Sequence, residues 1–215
     1  MVFLFKFLFA FIILLLIWKI IFVLFLDHKN NTFTIYFGVP GSGKTTFAAW
    51  LTRKDLKKNK TVWSTVPIKG TYKVTKEDIG YYDISNGRLE WDEAGVDCDN
   101  RNYKKNFTHE QVEWLKYHRH YNVDIDCFSQ YWNDIDIKLR NLATELYLVK
   151  KSFFPYFIKR RRIGKRIGID PQTKQIIDEY YFVPFSTKYI FCAKLWKMFN
   201  SHEHKELPKK DFPKW

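Results

Sequence analysis

From residue 7 to residue 26 the chain reads FLFAFIILLLIWKIIFVLFL, twenty positions of which seventeen are Leu, Ile, Phe or Val and only Lys19 is charged. At about 1.5 Å per helical residue, such a run matches a hydrocarbon core of roughly 30 Å. It has neither the polar positions of a core helix nor the charged stripe of an interfacial one, and no Ala-x-Ala-like cleavage site follows it. The pattern predicts one N-terminal transmembrane helix. Only Asp27 to Thr32 then separate it from a region of a different kind.

That region alternates strand and helix patterns. Thr32 to Phe37 (TFTIYF) is a β-branched and aromatic run, and Thr46 to Lys58 spaces Phe47, Ala48, Trp50, Leu51 and Leu56 as a helix does. Thr61 to Pro67 and the half-apolar Leu89-Glu90-Trp91 read as strands. Thr108-His109-Glu110-Gln111 reads as a capping box that opens a helix reaching His120. Val123 to Ser129 and Glu145 to Val149 supply further strands. The order β-α-β-(β)-α-β-α-β predicts an α/β fold with a mainly parallel, doubly wound sheet. After it, Lys159 to Arg166, a turn at Asp170-Pro171-Gln172-Thr173 and a strand over Gln175 to Phe185 predict a small β-hairpin in a C-terminal extension.

Length leaves room for one such domain: 1–31 as anchor and linker, 32–151 as core, 152–215 as extension of the same domain. The net charge of +13 is almost wholly outside the first 26 residues, where only Lys6 and Lys19 are basic, and it suits a polyanionic partner. Cys98, Cys127 and Cys192 are odd in number and widely spaced, which points away from disulfides and zinc.

The candidate chemistry begins where the first strand ends. Gly38-Val39-Pro40-Gly41-Ser42-Gly43-Lys44-Thr45 is the G-x-x-x-x-G-K-[ST] phosphate loop, set between a strand and a helix as it must be, with Thr46 next in the helix. Glycines let backbone N–H groups curl round a phosphate, Lys44 supplies charge to the β and γ oxygens, and Thr45 offers a hydroxyl to Mg2+. ATP and Mg2+ are therefore the expected ligands, and cytosolic ATP orients the anchor with its N-terminus outside. Hydrolysis also needs a strand-end carboxylate for the metal and one for the attacking water. Asp92 and Glu93 fit those roles, with Asp126 as the reserve metal partner. Gln130 is placed to sense the γ-phosphate, and Arg119 or Arg140 to reach a phosphate in its own or a neighbouring subunit. Lys159, Arg160, Arg161, Arg162, Lys165 and Arg166 form a basic hairpin suited to single-stranded DNA or to anionic lipid.

Asp92-Glu93-Ala94-Gly95, Trp114-Leu115 through His118-Arg119-His120, Ser129-Gln130 and Leu139-Arg140 occur in the order found in the zonula occludens toxin (Zot) family, which includes the gene I assembly proteins of filamentous phages. The resemblance runs from about Thr32 to Lys151, with a fainter echo at Phe199-Asn200-Ser201 and His204. It implies a P-loop NTPase of the additional-strand, catalytic-glutamate type. It also implies a homo-oligomeric ring, possibly a hexamer, at the inner membrane that extrudes single-stranded DNA during virion assembly with phage capsid proteins. Lys44 and Thr45 match the phosphate and Mg2+ residues, Asp92 and Glu93 the metal and water residues, and Gln130 the sensor. The departure is the hydrophobic run, which here precedes the ATPase region; relatives carry it afterwards with an extracytoplasmic tail. A small-molecule P-loop kinase and a non-catalytic nucleotide-binding scaffold are the competing readings, the second kept open by the polar Glu90 in the acidic strand.

Overall fold

A parallel sheet grows from the run that follows the N-terminal helix. Strand β1 (Phe33–Phe37) pairs in parallel with β5 (Val123–Ser129) on one side and β6 (Glu145–Lys151) on the other. Beyond β5 come β4 (Gly87–Trp91), β2 (Thr61–Ser64) and the two-residue β3 (Tyr72–Lys73), all parallel. Strand β5 therefore lies between β1 and β4. The structure is a computed structural model that describes residues 2–26, 31–94, 107–169 and 176–200. The Asp27–Asn30 part of the linker, Gly95, Cys98, the Asp170–Thr173 turn, Ser201 and His204 lie outside the described residues.

Each β1 face packs on its own cluster, because side chains alternate along a strand. Phe33 and Ile35 join Leu89, Trp91, Ile125 and Cys127 under α3 (His109–Tyr117) and the short α4 (Ile137–Leu142). Tyr36 joins Phe128, Tyr147 and Val149 under α2 (Lys44–Leu56), which contributes Phe47, Ala48 and Leu51. The capping box of α3 forms as the sequence predicts: the Thr108 hydroxyl accepts the Gln111 N–H at 3.3 Å, and Gln111 Oε1 accepts the Thr108 N–H at 3.1 Å.

The extension continues the same sheet in antiparallel sense. Strand β7 (Phe157–Ile169) pairs with β6, and its other edge takes β8 (Ile176–Phe182) and then β9 (Lys188–Phe191), the last not foreseen from sequence. Between β8 and β9 the edge is interrupted, and Ser186 Oγ accepts the Arg162 N–H at 3.1 Å.

The N-terminal run is helical over α1 (Val2–Leu26). Its side chains are described over 6–19, where the large apolar residues from Phe7 to Trp18 stand exposed. Among the described residues no helix is long and apolar enough to cross a membrane. The expected transmembrane span is corrected accordingly, and with it the N-out orientation and the single-pass location in the cytoplasmic membrane.

Candidate functional site

The chain leaves β1 at Phe37 and wraps into α2 through the glycine-rich loop. Gly38 N–H donates to Ser129 O at 3.2 Å, Ser42 N–H to Val39 O at 3.0 Å, and Phe47 N–H to Gly43 O at 2.9 Å, the last closing the first turn of α2. Gly43 has φ 98°, and a Cβ there would stand 2.6 Å from Ile158 Cγ2 on β7, so the turn requires glycine. Lys44 is buried, and its Nζ donates to Gly38 O at 2.9 Å. Burial pushes its ammonium below the usual lysine range, partly offset by Glu93 and Asp92. Ser42 Oγ is buried with no hydrogen-bond partner among the described residues. An orphaned hydroxyl, a desolvated ammonium and a helix N-terminus with no acidic residue in its first turn together fit an incoming phosphate.

The acidic partners arrive at the same edge from β4. Asp92 Oδ2 accepts the Thr45 hydroxyl at 3.1 Å, Oδ1 accepts the Glu93 N–H at 3.0 Å, and the Asp92 N–H donates to Thr65 Oγ1 at 2.9 Å. Burial raises the Asp92 carboxyl, with the Thr45 bond pulling it back. Glu93 adopts the left-handed φ of 53°, an arrangement that costs about 1–2 kcal/mol for a residue with a Cβ. Its carboxylate accepts from Gln130 Nε2 at 3.3 and 3.4 Å. Lys44, Thr45, Asp92, Glu93 and Gln130 are thus brought together from α2, the end of β4 and the end of β5. Among the described residues no group of three or more His, Cys, Asp or Glu could hold a metal ion by itself. Thr45 and Asp92 are an oxygen donor set suited to Mg2+ only when phosphate oxygens and water complete the shell.

Lys44, Thr45, Glu93 and Gln130 line one end of a cleft of about 610 Å3. Its other end is walled by Phe154, Tyr156, Trp196 and Phe199 from the β6–β7 loop and the segment after β9. Lys151, at the end of β6, joins the phosphate end; its Nζ stands 4.0 Å from where a Cβ on Gly41 would lie. Sequence reading missed Lys151 because β6 and the loop meet only through the β1–β6 ladder.

Other expected residues fall elsewhere. Asp126, the reserve metal partner, is buried within β5 and ion-paired to Arg88, so it is corrected out of the site. Arg119 follows α3 and precedes β5, at the sheet edge opposite the phosphate loop, where it is exposed. Its neighbour His118 is structural: Nδ1 lies 2.8 Å from Leu115 O and Nε2 3.2 Å from Asn31 O, pinning α3 to the start of β1. Arg140 lies on α4 with its guanidinium 5.5 Å from the centre of the Trp132 ring.

The basic run lies in β7, so alternation divides it, with Lys159, Arg161 and Lys165 on one face and Arg160, Arg162 and Arg166 on the other. Arg162 pairs with Glu145 at 3.3 Å, Lys165 with Asp178 at 2.8 Å and Arg166 with Glu179 at 2.6 Å. Arg160 stacks 4.3 Å from the Tyr147 ring centre and Arg161 4.2 Å from that of Phe182. The basic run of the expected hairpin is therefore dealt to two faces, with Arg162, Lys165 and Arg166 held in ion pairs.

No protein-family profile matches the chain, and no characterised protein matches it in sequence. In fold it is similar to the N-terminal domain of zonular occludens toxin from Neisseria meningitidis, at TM-score 0.51 and 19% identity, covering 80% of this chain and 100% of that one. The genome packaging NTPase B204 of Sulfolobus turreted icosahedral virus 2, in complex with AMPPCP, aligns at TM-score 0.44 and 14% identity over 69% of this chain and 97% of that one. The ATPase domain of G40P aligns at 0.41 and 10% identity, over 73% and 85%. Of these three the first alone exceeds 0.5, and at its identity the likeness is one of fold: α/β, with the mostly parallel sheet of a P-loop NTPase.

Proposed function

We propose that this chain is an ATP hydrolase of the additional-strand, catalytic-glutamate class, using ATP and Mg2+ and working as a homo-oligomeric ring that moves single-stranded DNA during virion assembly. The observation that carries hydrolysis is the acid set facing the phosphate loop: Thr45 to Asp92 at 3.1 Å, with Glu93 held by Gln130 at 3.3 Å. Lys44 exchanges its bond to Gly38 O for the β and γ oxygens, and the N–H groups at the start of α2 hold the β-phosphate. Thr45 and Asp92 would hold Mg2+, which would supply positive charge against that gathering on the triphosphate. Glu93 takes the proton of the attacking water as that oxygen bonds to the γ phosphorus; the bond from phosphorus to the β–γ bridging oxygen breaks, releasing ADP and phosphate. Gln130 keeps the Glu93 carboxylate aimed. Fixing that geometry in advance is what a strained backbone at Glu93 provides.

The ring and the DNA rest on weaker support: the net charge of +13, the basic faces of β7 and the family resemblance. Phage capsid proteins as partners rest on that resemblance alone. Arg119, exposed at the far edge, is suited to a neighbour's site better than to its own.

The test is phosphate release by the purified full chain with Mg2+ and ATP, with and without single-stranded DNA. Turnover that Lys44→Ala abolishes and DNA accelerates is expected. Bound ATP that is never hydrolysed overturns the enzyme reading, and turnover indifferent to DNA overturns the coupling.

A further inference from the structure

We infer that the aromatic end of the cleft is a nucleobase subsite, formed by Tyr156 and Trp196, that stacks a base without reading its edge. The inference rests on the nucleotide reading of the phosphate loop and adds to it the rest of the ligand.

A triphosphate on the phosphate loop meets Gly41, Gly43 to Thr46 and Lys151. The lining of the same cleft of about 610 Å3 also includes the rings of Phe154, Tyr156, Phe157, Trp196 and Phe199. Tyr156 and Trp196 stand with ring centres 5.8 Å apart at 46°. They are 58% and 50% exposed, and both line the cleft. Large bare aromatic faces converging on a cleft are what a flat heterocycle satisfies.

The backbone that carries each ring is tied down, although the two segments are far apart in sequence. Tyr156 adopts the left-handed φ of 63°, and its carbonyl accepts the Cys192 N–H at 2.8 Å. Ser152 N–H donates to Phe157 O at 3.0 Å across the β6–β7 loop. After β9, Leu195 N–H donates to Cys192 O at 2.7 Å and Met198 N–H to Leu195 O at 2.9 Å. Met198 O in turn accepts from Lys69 N–H at 2.7 Å, which ties the segment to the core. A tyrosine kept in a conformation disfavoured for any residue with a Cβ marks a position where placement of the ring outweighs local comfort. Lys151 supplies the direction. It opens the loop that carries Tyr156 and reaches the phosphate loop, so a nucleotide with phosphates on α2 lays its base along that loop.

Two polar side chains at this end are engaged by nearby backbone. Ser152 Oγ accepts the Phe154 N–H at 3.2 Å, and the Cys192 thiol donates to Ile190 O at 3.4 Å. Stacking by rings tolerates any base, whereas discrimination by hundreds-fold or more needs hydrogen bonds to the edge. The subsite therefore favours nucleotides over inorganic phosphates and barely separates ATP from GTP.

The experiment titrates the full chain in Mg2+ with ATP, GTP and inorganic tripolyphosphate by calorimetry, for wild type, Trp196→Ala, Trp196→Phe and Lys44→Ala. Trp196 is half exposed, so its replacement leaves the fold intact. Trp196→Ala is expected to weaken ATP and GTP by roughly tenfold and leave tripolyphosphate unchanged, with Trp196→Phe recovering most of the loss. Wild type is expected to bind ATP and GTP within about threefold of one another. Equal effects of Trp196→Ala on ATP and tripolyphosphate, or none on either, overturn the subsite while Lys44→Ala still tests the phosphate loop. A wild-type chain that binds none of the three ligands overturns both readings together.

Discussion

Arg88→Met removes the charge that ties together the three elements carrying the site. Arg88 projects from β4, its side chain 13% exposed, and bonds Asp55 on α2 and Asp126 on β5, with Asp124 of β5 at 3.4 Å. Methionine keeps the apolar stem and leaves three carboxylates without their guanidinium. Breaking a buried ion pair from one side costs about 3–5 kcal/mol, so about 4 kcal/mol is expected at pH 8. Acid should relieve the loss. Burial already raises Asp126 to about 6, above the roughly 3.9 of an unfolded aspartate. Between about pH 4 and 6 the folded chain holds a proton that the unfolded chain has released. Asp126 therefore lowers stability as pH rises through that window, by about 3 kcal/mol, and leaves no penalty below it. Without Arg88 the folded carboxyl climbs further and the window extends upward. Guanidinium unfolding of the full chain, followed by tryptophan emission at pH 5, 6.5 and 8, should give a gap between variant and wild type widest at pH 8 and about half that at pH 5. A gap under about 1 kcal/mol at pH 8, or one that grows on acidification, refutes the reasoning.

Four further outcomes are expected. Glu93→Gln should bind ATP but lose about 10²–10⁴ in turnover, as removal of a general base does; normal hydrolysis would show the acid misassigned. Thr52→Val deprives buried Glu90, whose carboxyl burial holds well above the usual range, of its 2.8 Å hydroxyl partner. A loss of about 1–3 kcal/mol in denaturant midpoints is expected, and an unchanged midpoint refutes it. If β7 binds single-stranded DNA with its three carboxylate-paired cations left in place, the salt slope should be about −2, from roughly −0.7 per contact. A slope near −4 means that those pairs open on binding. Mixing Arg119→Ala with Lys44→Ala subunits should restore part of the activity if Arg119 serves a neighbour, and no recovery at any ratio rules that out.

The chemistry was legible where it is local. The phosphate loop, the helix after it and the capping box at Thr108 are set by neighbours in sequence, and each forms where the residues predict. Leu89-Glu90-Trp91 read as a strand only half apolar, because the partner of its polar residue is remote. Glu90 faces α2, where Thr52 receives it, and nothing in the spacing of either residue announces the pair. Asp126 misled for the same reason: a carboxylate in a strand resembles a metal ligand until Arg88 is found beside it. The basic run over 159–166 read as one surface because charge was counted along the chain, whereas the strand deals it to two faces. The apolar run was read for its length and composition, and the described structure supports its helix but not its crossing.

The position of β5 between β1 and β4 also governs the order in which the chain can complete itself during synthesis. The two halves of the phosphate-binding apparatus, Gly38 to Thr45 and Asp92-Glu93, are made early, yet their strands share no ladder. Phe33 must wait for Ile125, ninety-two residues later, before the gap beside it is filled. Until then the nascent chain carries β1 unpaired on both edges, β4 unpaired on one, and the exposed apolar helix α1, the combination that exposes a growing polypeptide to mispairing and to chaperone capture. The strand that fills this gap is also the one that Gln130 follows, so Glu93 gains its hydrogen-bond partner only when the interior of the sheet has closed.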